Sequence, residues 1–568
     1  MQYIRDNRRK IAYFSMEIGI NQEIRTYSGG LGILAGDTIR SAADLSIPMV
    51  GVTLLYRKGY LHQQLDSNGW QIEGPDEWKI EEFLTELPNR ISLRIEGRYI
   101  YIRAWRYEVT GVSGDIVPVF FLDADLPENA ERDRLLTHHL YGGGEYERLA
   151  QEKILGIGGV RMLRNLGYTD IERFHMNEGH SSLLTLELLD LEATKRGSSE
   201  INYSDVDAVR DKCVFTTHTP VSAGHDIFGL ELVEQVLRRQ EFRKMPEVFC
   251  HEGKLNMTYV AMNLSRYING VAKKHGEVSR TMFSTHDIDS ITNGVHVSYW
   301  TSVSMQAVFD KYLKGWRKDN YELRYTLNIP NEAIWKAHQE AKKKLIALIG
   351  ETTSRVFDAD VFTIGFARRF TQYKRGDLIF HDMNKLIRIA EDSKGLQIVF
   401  GGKAHPRDQM GKDIIQRVVR HSKVRSEKLK IIFLPDYDIE LAKILIPGVD
   451  LWLNTPEAPL EASGTSGMKA ALNGVPSLST LDGWWIEGHV EGITGWSIGE
   501  DDKAKPQGES SQRHAESLYE KLKTKILPLF YGRLANYQHI MRNSISLNGA
   551  FFNTQRMLQE YVLKAYYL

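Results

Sequence analysis

From Val361 onward the chain alternates short apolar runs with stretches of helical period, and this rhythm constrains the fold more than any other feature. Val361 to Ala367 is apolar and β-rich, as a strand buried on both faces must be. A polar loop, 368–375, follows. Leu378, Ile379, Met383, Leu386, Ile387 and Ala390 then recur at helical spacing. LQIVF (396–400), a helix marked by Met410, Ile414, Ile415, Val418 and Val419, IIFL (431–434) and DLWLN (450–454) continue the pattern. Strands separated by helices of this length join in parallel through crossovers, so a parallel sheet covered on both faces is expected. The first half repeats the theme with strands at 11–16, 47–56, 173–176 and 213–217. Ile91, Leu93 and Ile95 alternate before the turn Glu96-Gly97-Arg98, the pattern of an antiparallel hairpin inserted into the α/β domain. Residues 331–349 read as a helix leading into a second domain, 500–513 as an exposed polar loop, and 514–568 as mostly helix.

At 568 residues the chain is too long for one core. The expected class is α/β, with two doubly wound, Rossmann-like domains facing each other across a cleft. They span residues 1–290 and 291–568, and the terminal helices are available to pack back on the first. Ligands in such sheets bind beyond the carboxyl ends of the strands. A formal net charge of −1 gives no reason to expect a nucleic-acid or membrane-surface partner. Cys213 and Cys250 form no CxxC pair, which suits a reducing compartment. The apolar stretch behind the basic N-terminus is short and carries Glu17, and no run of 18 apolar residues follows, so neither a signal peptide nor a membrane span is expected. The cytoplasm is the simplest location.

Three strand-to-helix loops carry candidate chemistry. In EASGTSGMK, Glu461 to Lys469, residues Ser463 to Gly467 can present backbone amides and hydroxyls to an anion at a helix N-terminus. Lys469 lies about one turn in, where a deprotonated amine can form a Schiff base with an aldehyde cofactor. An N-cap followed by a solvated lysine fits the same spacing. In ARRFTQYKR, Ala367 to Arg375, the cations Arg368, Arg369, Lys374 and Arg375 crowd the end of a strand. They suit bidentate contact with phosphate oxygens, or a solvated basic face. In YSGGLGILAGD, Tyr27 to Asp37, three glycines let a ligand approach the backbone, though the dinucleotide spacing GxGxxG is absent. The histidines of HMNEGH (175–180) are five apart, share no helix face and suggest no third ligand, so no metal is expected. TTHTPVSAGHD (216–226), ITNGVHVSYW (291–300) and GGKAHPRD (401–408) are also rich in polar groups.

Taken together, these loops resemble those of the glycogen and maltodextrin phosphorylases, in the right order from residue 28 to about 490. EASGTSGMKAALNG is similar to the family's cofactor segment EASGTGNMK followed by LNG. The resemblance implies pyridoxal phosphate on Lys469, with Gly464, Thr465 and Ser466 at the cofactor phosphate, and Glu461, Ser463 and Gly464 at sugar hydroxyls. The basic loop resembles KRIHEYKR. Arg369 and Lys374 then fall on the positions that bind substrate phosphate, Arg368 beside the cofactor phosphate and Tyr373 on a sugar contact. By the same matching, Gly29, Gly30 and Leu31 line the phosphate and sugar sites, with Gly30 near the cofactor. Tyr437 and Trp300 lie at the cofactor and Asn293 at the sugar. The implied activity is phosphorolysis of α-1,4-glucan by orthophosphate to glucose 1-phosphate with retention of configuration, in an oligomer of two or more copies. A nucleotide-sugar-dependent glucan synthase is the nearest alternative, and a silent glucan-binding protein a further one.

Departures from the family pattern carry expectations of their own. The chain resembles the short form, with no counterpart of the regulatory N-terminal extension, so phosphorylation control and nucleotide activation are not expected. Arg266 replaces a histidine that contacts the sugar, Thr371-Gln372 replaces His-Glu, and DGWWIEG replaces DGANVEM. Trp484 and Trp485 suit either sugar stacking or core packing.

Overall fold

The computed structural model describes residues 9–219, 225–353, 355–499 and 510–567. The chain divides into two compact units. One comprises residues 1–61, 75–292 and 557–568, and the other residues 62–74 and 293–556. Each is α/β with a large parallel sheet, as the strand–helix rhythm leads one to expect.

The first unit is built on a nine-stranded sheet. Its order is Asp289–Ser290, Tyr267–Gly270, Cys213–Thr216, Arg173–Asn177, Ile11–Ser15, Met49–Leu54, Ile116–Asp123, Arg98–Thr110 and Thr85–Ile95. The first seven strands run parallel. The last two form an antiparallel hairpin on the sheet's edge, and its turn places Glu96 and Gly97 at φ 51° and 83°. Alternate residues of one strand feed opposite cores. Ala12 and Phe14 join one apolar cluster, and Ile11 and Tyr13 the other. That division is the period-2 geometry of a strand covered on both faces.

The terminal segment packs on the second of these cores through Met557, Leu558, Tyr561, Ala565 and Tyr566. It is pinned by polar bonds to the sheet. Tyr566 meets His175 Nδ1 at 2.7 Å, and Tyr561 meets Thr216 Oγ1 and Asn269 Nδ2 at 3.0 Å each.

The second unit has six strands, all parallel, in the order Leu429–Leu434, Leu396–Gly401, Thr363–Ala367, Leu451–Asn454, Ser477–Thr480 and Gly495–Ile498. At the amino end of its central strands lies a fully buried polar knot. Lys342 Nζ and His338 Nε2 bond the Asp450 carboxylate at 2.6 and 2.9 Å, and the Thr363 amide donates to it at 2.8 Å. Burial by itself would raise the Asp450 pKa, but Lys342 and His338 hold the carboxyl below its ordinary value.

Two expectations change, and one hairpin is new. The predicted helix from Leu378 opens as a 3-10 turn, Leu378–Phe380, and becomes α-helical only at Met383, where the Asp382 carboxylate caps Lys385 N at 2.9 Å. Of the expected loop 500–513, residues 510–513 begin the helix Ser510–Lys521, and the rest lies outside the described residues. A hairpin with strands His62–Leu65 and Gln71–Gly74 had no counterpart in the sequence reading, and it belongs to the second unit. Among the described residues, no helix is long and apolar enough to cross a membrane.

Candidate active site

In the second unit, Arg368, Lys374 and Glu461 gather beyond the carboxyl ends of two adjacent strands, Thr363–Ala367 and Leu451–Asn454. Arg368 follows Ala367, Asn454 ends its own strand, and Glu461 lies on the loop beyond it. Arg368 donates from Nη1 to Asn454 Oδ1 at 2.8 Å and from Nη2 to Glu461 Oε2 at 2.6 Å. Lys374 Nζ bonds both Glu461 oxygens, at 2.9 and 2.6 Å. The Glu461 amide donates to Asp482 Oδ2 at 2.8 Å, which sets the orientation of the loop. The side chains of Arg368, Lys374 and Glu461 are only 9%, 9% and 8% exposed, so these charges act on one another with little water between them.

Burial opposes ionisation of Glu461, yet Arg368 and Lys374 hold its carboxyl at about 2. Burial and the Arg368 guanidinium lower the Lys374 ammonium to about 7, against the pull of Glu461. Burial raises Asp482 to about 7, and the neighbouring Glu461 carboxylate adds to that rise. Tyr373 lies beneath the Lys374 ammonium, 4.6 Å from ring centroid to nitrogen. Burial, then Glu461, raises the Tyr373 phenol, while Arg368 and Arg369 pull it back. Tyr437 is raised by burial too, with Arg368 opposing. The five residues therefore share one electrostatic environment. Arg369 is exposed, unlike its neighbour Arg368. The basic loop is held by Arg375, which turns at φ 47° and donates to Thr455 O at 2.8 Å and Pro456 O at 2.9 Å.

Lys469 lies in the short helix Ser466–Leu472, which ends at Asn473 with Gly474 at φ 72°. Its ammonium sits 3.6 Å from the centroid of the Trp300 ring. Asn473 Nδ2 donates to both Lys469 O and Trp300 O at 2.9 Å, clamping the lysine's helix to the tryptophan's. Ser466 Oγ accepts from Trp452 Nε1 at 3.1 Å. Thr465 is the N-cap residue without a side-chain capping bond, and Gly464 turns at φ 76°. Ser463 carries the backbone carbonyl that receives Trp484 N at 2.9 Å. Asn293 is buried with its Oδ1 lacking a hydrogen-bond partner.

The remaining predicted residues lie in the first unit. Gly29 caps the helix Gly30–Asp44, and Leu31 follows in its first turn. A Cβ on Gly29 or Gly30 would meet nothing within 4 Å, so neither glycine is required by packing and both leave the backbone open to a ligand. Gly32 differs, because a Cβ there would strike the Glu17 carboxylate at 2.7 Å. Glu17 accepts from the amides of Ser28 (2.5 Å) and Gly29 (3.2 Å) and from Tyr141 OH (2.9 Å).

Several polar groups at these strand ends escaped sequence reasoning. Glu178 follows the strand Arg173–Asn177 at φ 72° and accepts from the His218 amide at 2.8 Å and Thr219 Oγ1 at 2.9 Å. A signal was available for Asn454, the polar residue that ends the otherwise apolar strand Leu451–Asn454. The other half of HMNEGH is structural. His175 is bonded within the sheet, and His180 pairs with Asp226 at 3.2 Å. Among the described residues, no group of three or more His, Cys, Asp or Glu could hold a metal ion.

The sequence left the roles of Arg266, Trp484 and Trp485 open. Arg266 is exposed at the amino end of the strand Tyr267–Gly270, near Arg173, and so faces away from the ligand-binding edge. Trp484 and Trp485 are buried at 2% and 1% exposure and pack on each other. Trp484 also packs on Phe552, and a Cβ on Gly467 would strike its ring at 2.7 Å, so it supports the lysine helix from within the core.

A family model described as carbohydrate phosphorylase matches residues 19–98 and 239–521. The chain is 38% identical to a maltodextrin phosphorylase of Thermococcus litoralis over 98% of its length and 70% of the relative's. It is 35% identical to a glycogen phosphorylase of Aquifex aeolicus over 98% and 86%, respectively. Against a glycogen phosphorylase of Mycobacterium tuberculosis the figures are 34%, 97% and 70%.

Proposed function

Since the chain belongs to the carbohydrate phosphorylase family, we propose that it is an α-glucan phosphorylase, using orthophosphate to remove terminal α-1,4-linked glucose as glucose 1-phosphate with pyridoxal phosphate as cofactor. The observation that carries this reading is the buried Arg368–Lys374–Glu461 cluster, two cations against one carboxylate, at the carboxyl edge of a parallel sheet. A nucleotide-sugar-dependent synthase is not favoured by the family found.

The residues fit the cofactor. Lys469 is a buried amine beside an aromatic face. Arg368 Nε is buried with no hydrogen-bond partner, so the guanidinium has a donor in reserve for an anion. On this reading Lys469 would hold the cofactor covalently. Gly464, Thr465, Ser466 and Arg368 would hold its phosphate, and Trp300, Tyr437 and Gly30 would flank it. When bound, the cofactor supplies a phosphate monoester whose second pKa is about 6, a proton donor and acceptor near neutral pH.

The chain's own groups must make two phosphates tolerable side by side. At about 4 Å and an effective dielectric near 20, each unit-charge pair costs roughly 4 kcal/mol. Arg368 and Lys374 supply counter-charge inside the site, and Arg369 supplies it at the mouth. Lys374 and Arg369 bind orthophosphate and orient one oxygen toward the anomeric carbon. Glu461, Ser463 and Gly464, with Asn293, Tyr373, Gly29 and Leu31, take the sugar hydroxyls. A proton passes from orthophosphate to the glycosidic oxygen and the C1–O bond breaks. A phosphate oxygen then bonds to C1 on the same face. The same cations stabilise charge gathering on the phosphate. The burial of these groups keeps water from competing for C1.

The direct test is incubation with orthophosphate and maltodextrins of graded length, assayed for glucose 1-phosphate. Release of free glucose alone would rule the proposal out. Arg369→Ala, which removes a charge-assisted contact, is expected to raise the KM for orthophosphate about 10- to 100-fold with a smaller change in kcat. Unchanged phosphate kinetics would remove Arg369 from the site.

A further inference from the structure

The hairpin with strands His62–Leu65 and Gln71–Gly74 interrupts the first unit's chain to join the second unit, and it carries two glutamines that are each only 1% exposed. A buried glutamine is costly unless its amide is satisfied. Both are satisfied, within the hairpin and by two neighbouring turns. Gln63 Oε1 accepts from the Asp436 amide at 2.8 Å, and its Nε2 donates to Gly402 O at 3.0 Å and to Gln71 Oε1 at 2.8 Å. Gln71 Oε1 also accepts from the Ala404 amide at 2.9 Å, and its Nε2 donates to Ala404 O at 2.9 Å and Glu73 Oε1 at 2.8 Å. Asp436 answers through its side chain, accepting from the Gln63 amide at 2.9 Å and from Lys403 Nζ at 2.7 Å. Two side-chain amides thus replace a strand's backbone in holding the turns after the strands Leu396–Gly401 and Leu429–Leu434.

These turns lie one step from the candidate site. The Arg368 amide donates to Gly401 O at 3.2 Å, and Phe370 N to Lys403 O at 2.9 Å. Gly402, at φ 139°, lies so close to the basic loop that a Cβ on it would fall 2.0 Å from Arg368 O. Asp436, at φ 56°, directly precedes Tyr437, whose ring would lie 3.2 Å from a Cβ on Gly401. The hairpin is anchored elsewhere as well, by Lys412 to Glu73 at 2.7 Å and by close packing of Gly69 on Val419. Losing one glutamine therefore does not release it.

We infer that Gln63 and Gln71 are positioning residues: through Gly402, Ala404 and Asp436 they set the backbone that aims Arg368 and Tyr437 at the cofactor. The inference rests on the functional reading above only for what the two residues are aimed at. Removing either amide leaves unpaired backbone groups in a buried turn, which then opens more often.

The test uses the full-length protein and the variants Gln63→Leu and Gln71→Leu, with Gln64→Leu as control. Gln64 stands next in the same strand and is exposed. Three quantities are read: amide hydrogen exchange at Arg368, Phe370 and Asp436, loss of pyridoxal phosphate absorbance on dialysis, and the KM for orthophosphate. The first two variants are expected to exchange at least about tenfold faster at these amides, to lose pyridoxal phosphate at least about tenfold faster and to show a raised phosphate KM, with Gln64→Leu unchanged. Folded variants with wild-type exchange and cofactor retention would overturn the inference. Should the leucine variants not fold, Gln63→Glu keeps the shape and the bond from Asp436 N while losing those to Gly402 and Gln71, and faster exchange at Arg368 and Phe370 with faster cofactor loss is expected. If the wild-type chain neither retains pyridoxal phosphate nor makes glucose 1-phosphate, the functional reading falls. The exchange rates at Arg368 and Asp436 still decide the positioning role.

Discussion

Lys469→Ala is expected to leave a folded protein that retains no pyridoxal phosphate and releases glucose 1-phosphate at least about a thousandfold more slowly, a loss of roughly 4 kcal/mol in the transition state or more. The expectation follows from the site's construction. The lysine is buried, its ammonium stacks on Trp300, and Asn473 ties its helix to the tryptophan's backbone, so the amine has a fixed position and few alternatives. The contact with the ring contributes about 1–2 kcal/mol to stability, which its removal does not multiply into unfolding. Lys443→Ala supplies the control. Lys443 lies at the same 3.6 Å over Tyr299, the ring next to Trp300 in the chain, yet has no part in the proposed chemistry. Absorbance of the purified protein before and after borohydride treatment, together with a glucose 1-phosphate assay, reads both variants. Full activity of Lys469→Ala without added cofactor would refute the assignment.

Asp450→Ala is expected to cost about 3–5 kcal/mol of stability, the largest loss from any single side chain discussed, although Asp450 touches no substrate. Its carboxylate is wholly buried, and so are Lys342 and His338 bonded to it. Alanine would leave the Lys342 ammonium in the core with only Val361 O as partner at 2.8 Å, and it would orphan the Thr363 amide. The pH dependence has a definite sign. Asp450 titrates below its ordinary 3.8 when folded, so its contribution is complete above that value and fades as the pH falls through the folded pKa. Denaturant melts of both proteins at pH 7 and in acid check this. Equal midpoints at pH 7 would show that the knot contributes nothing, and a gap between the proteins that fails to narrow in acid would contradict the titration argument.

Much of this protein is legible before folding is considered. Strands such as Val361–Ala367 and DLWLN announce themselves because burial on both faces makes their interior positions predominantly apolar. The loops at their ends are equally visible, because a basic run such as Arg368, Arg369, Lys374 and Arg375 breaks the apolar pattern of the strand before it. What could not be read is which polar residues become buried. Gln63 and Gln71 look like surface residues of a turn-rich segment, and their partners lie more than 300 positions away. Asn454 and Asp482 have the same character, since their importance comes from Arg368 and Glu461 arriving beside them. Trp484 and Arg266 were ambiguous in the opposite sense. Each has a side chain suited to a ligand, but one is packed into the core and the other stands at the wrong end of its strand.

By itself the sequence determined the α/β class, many of the parallel strands and the candidate loops at their ends, because apolar periodicity and local spacing are properties of neighbours along the chain. Only the tertiary structure decided that Glu461 sits between Arg368 and Lys374, that a distant hairpin braces the turns behind Arg368, and that the glycines at 29 and 30 face open space. Charge pairing and buried hydrogen bonds depend on distances of about 3 Å between groups far apart in the chain, and such distances exist only once the core has packed.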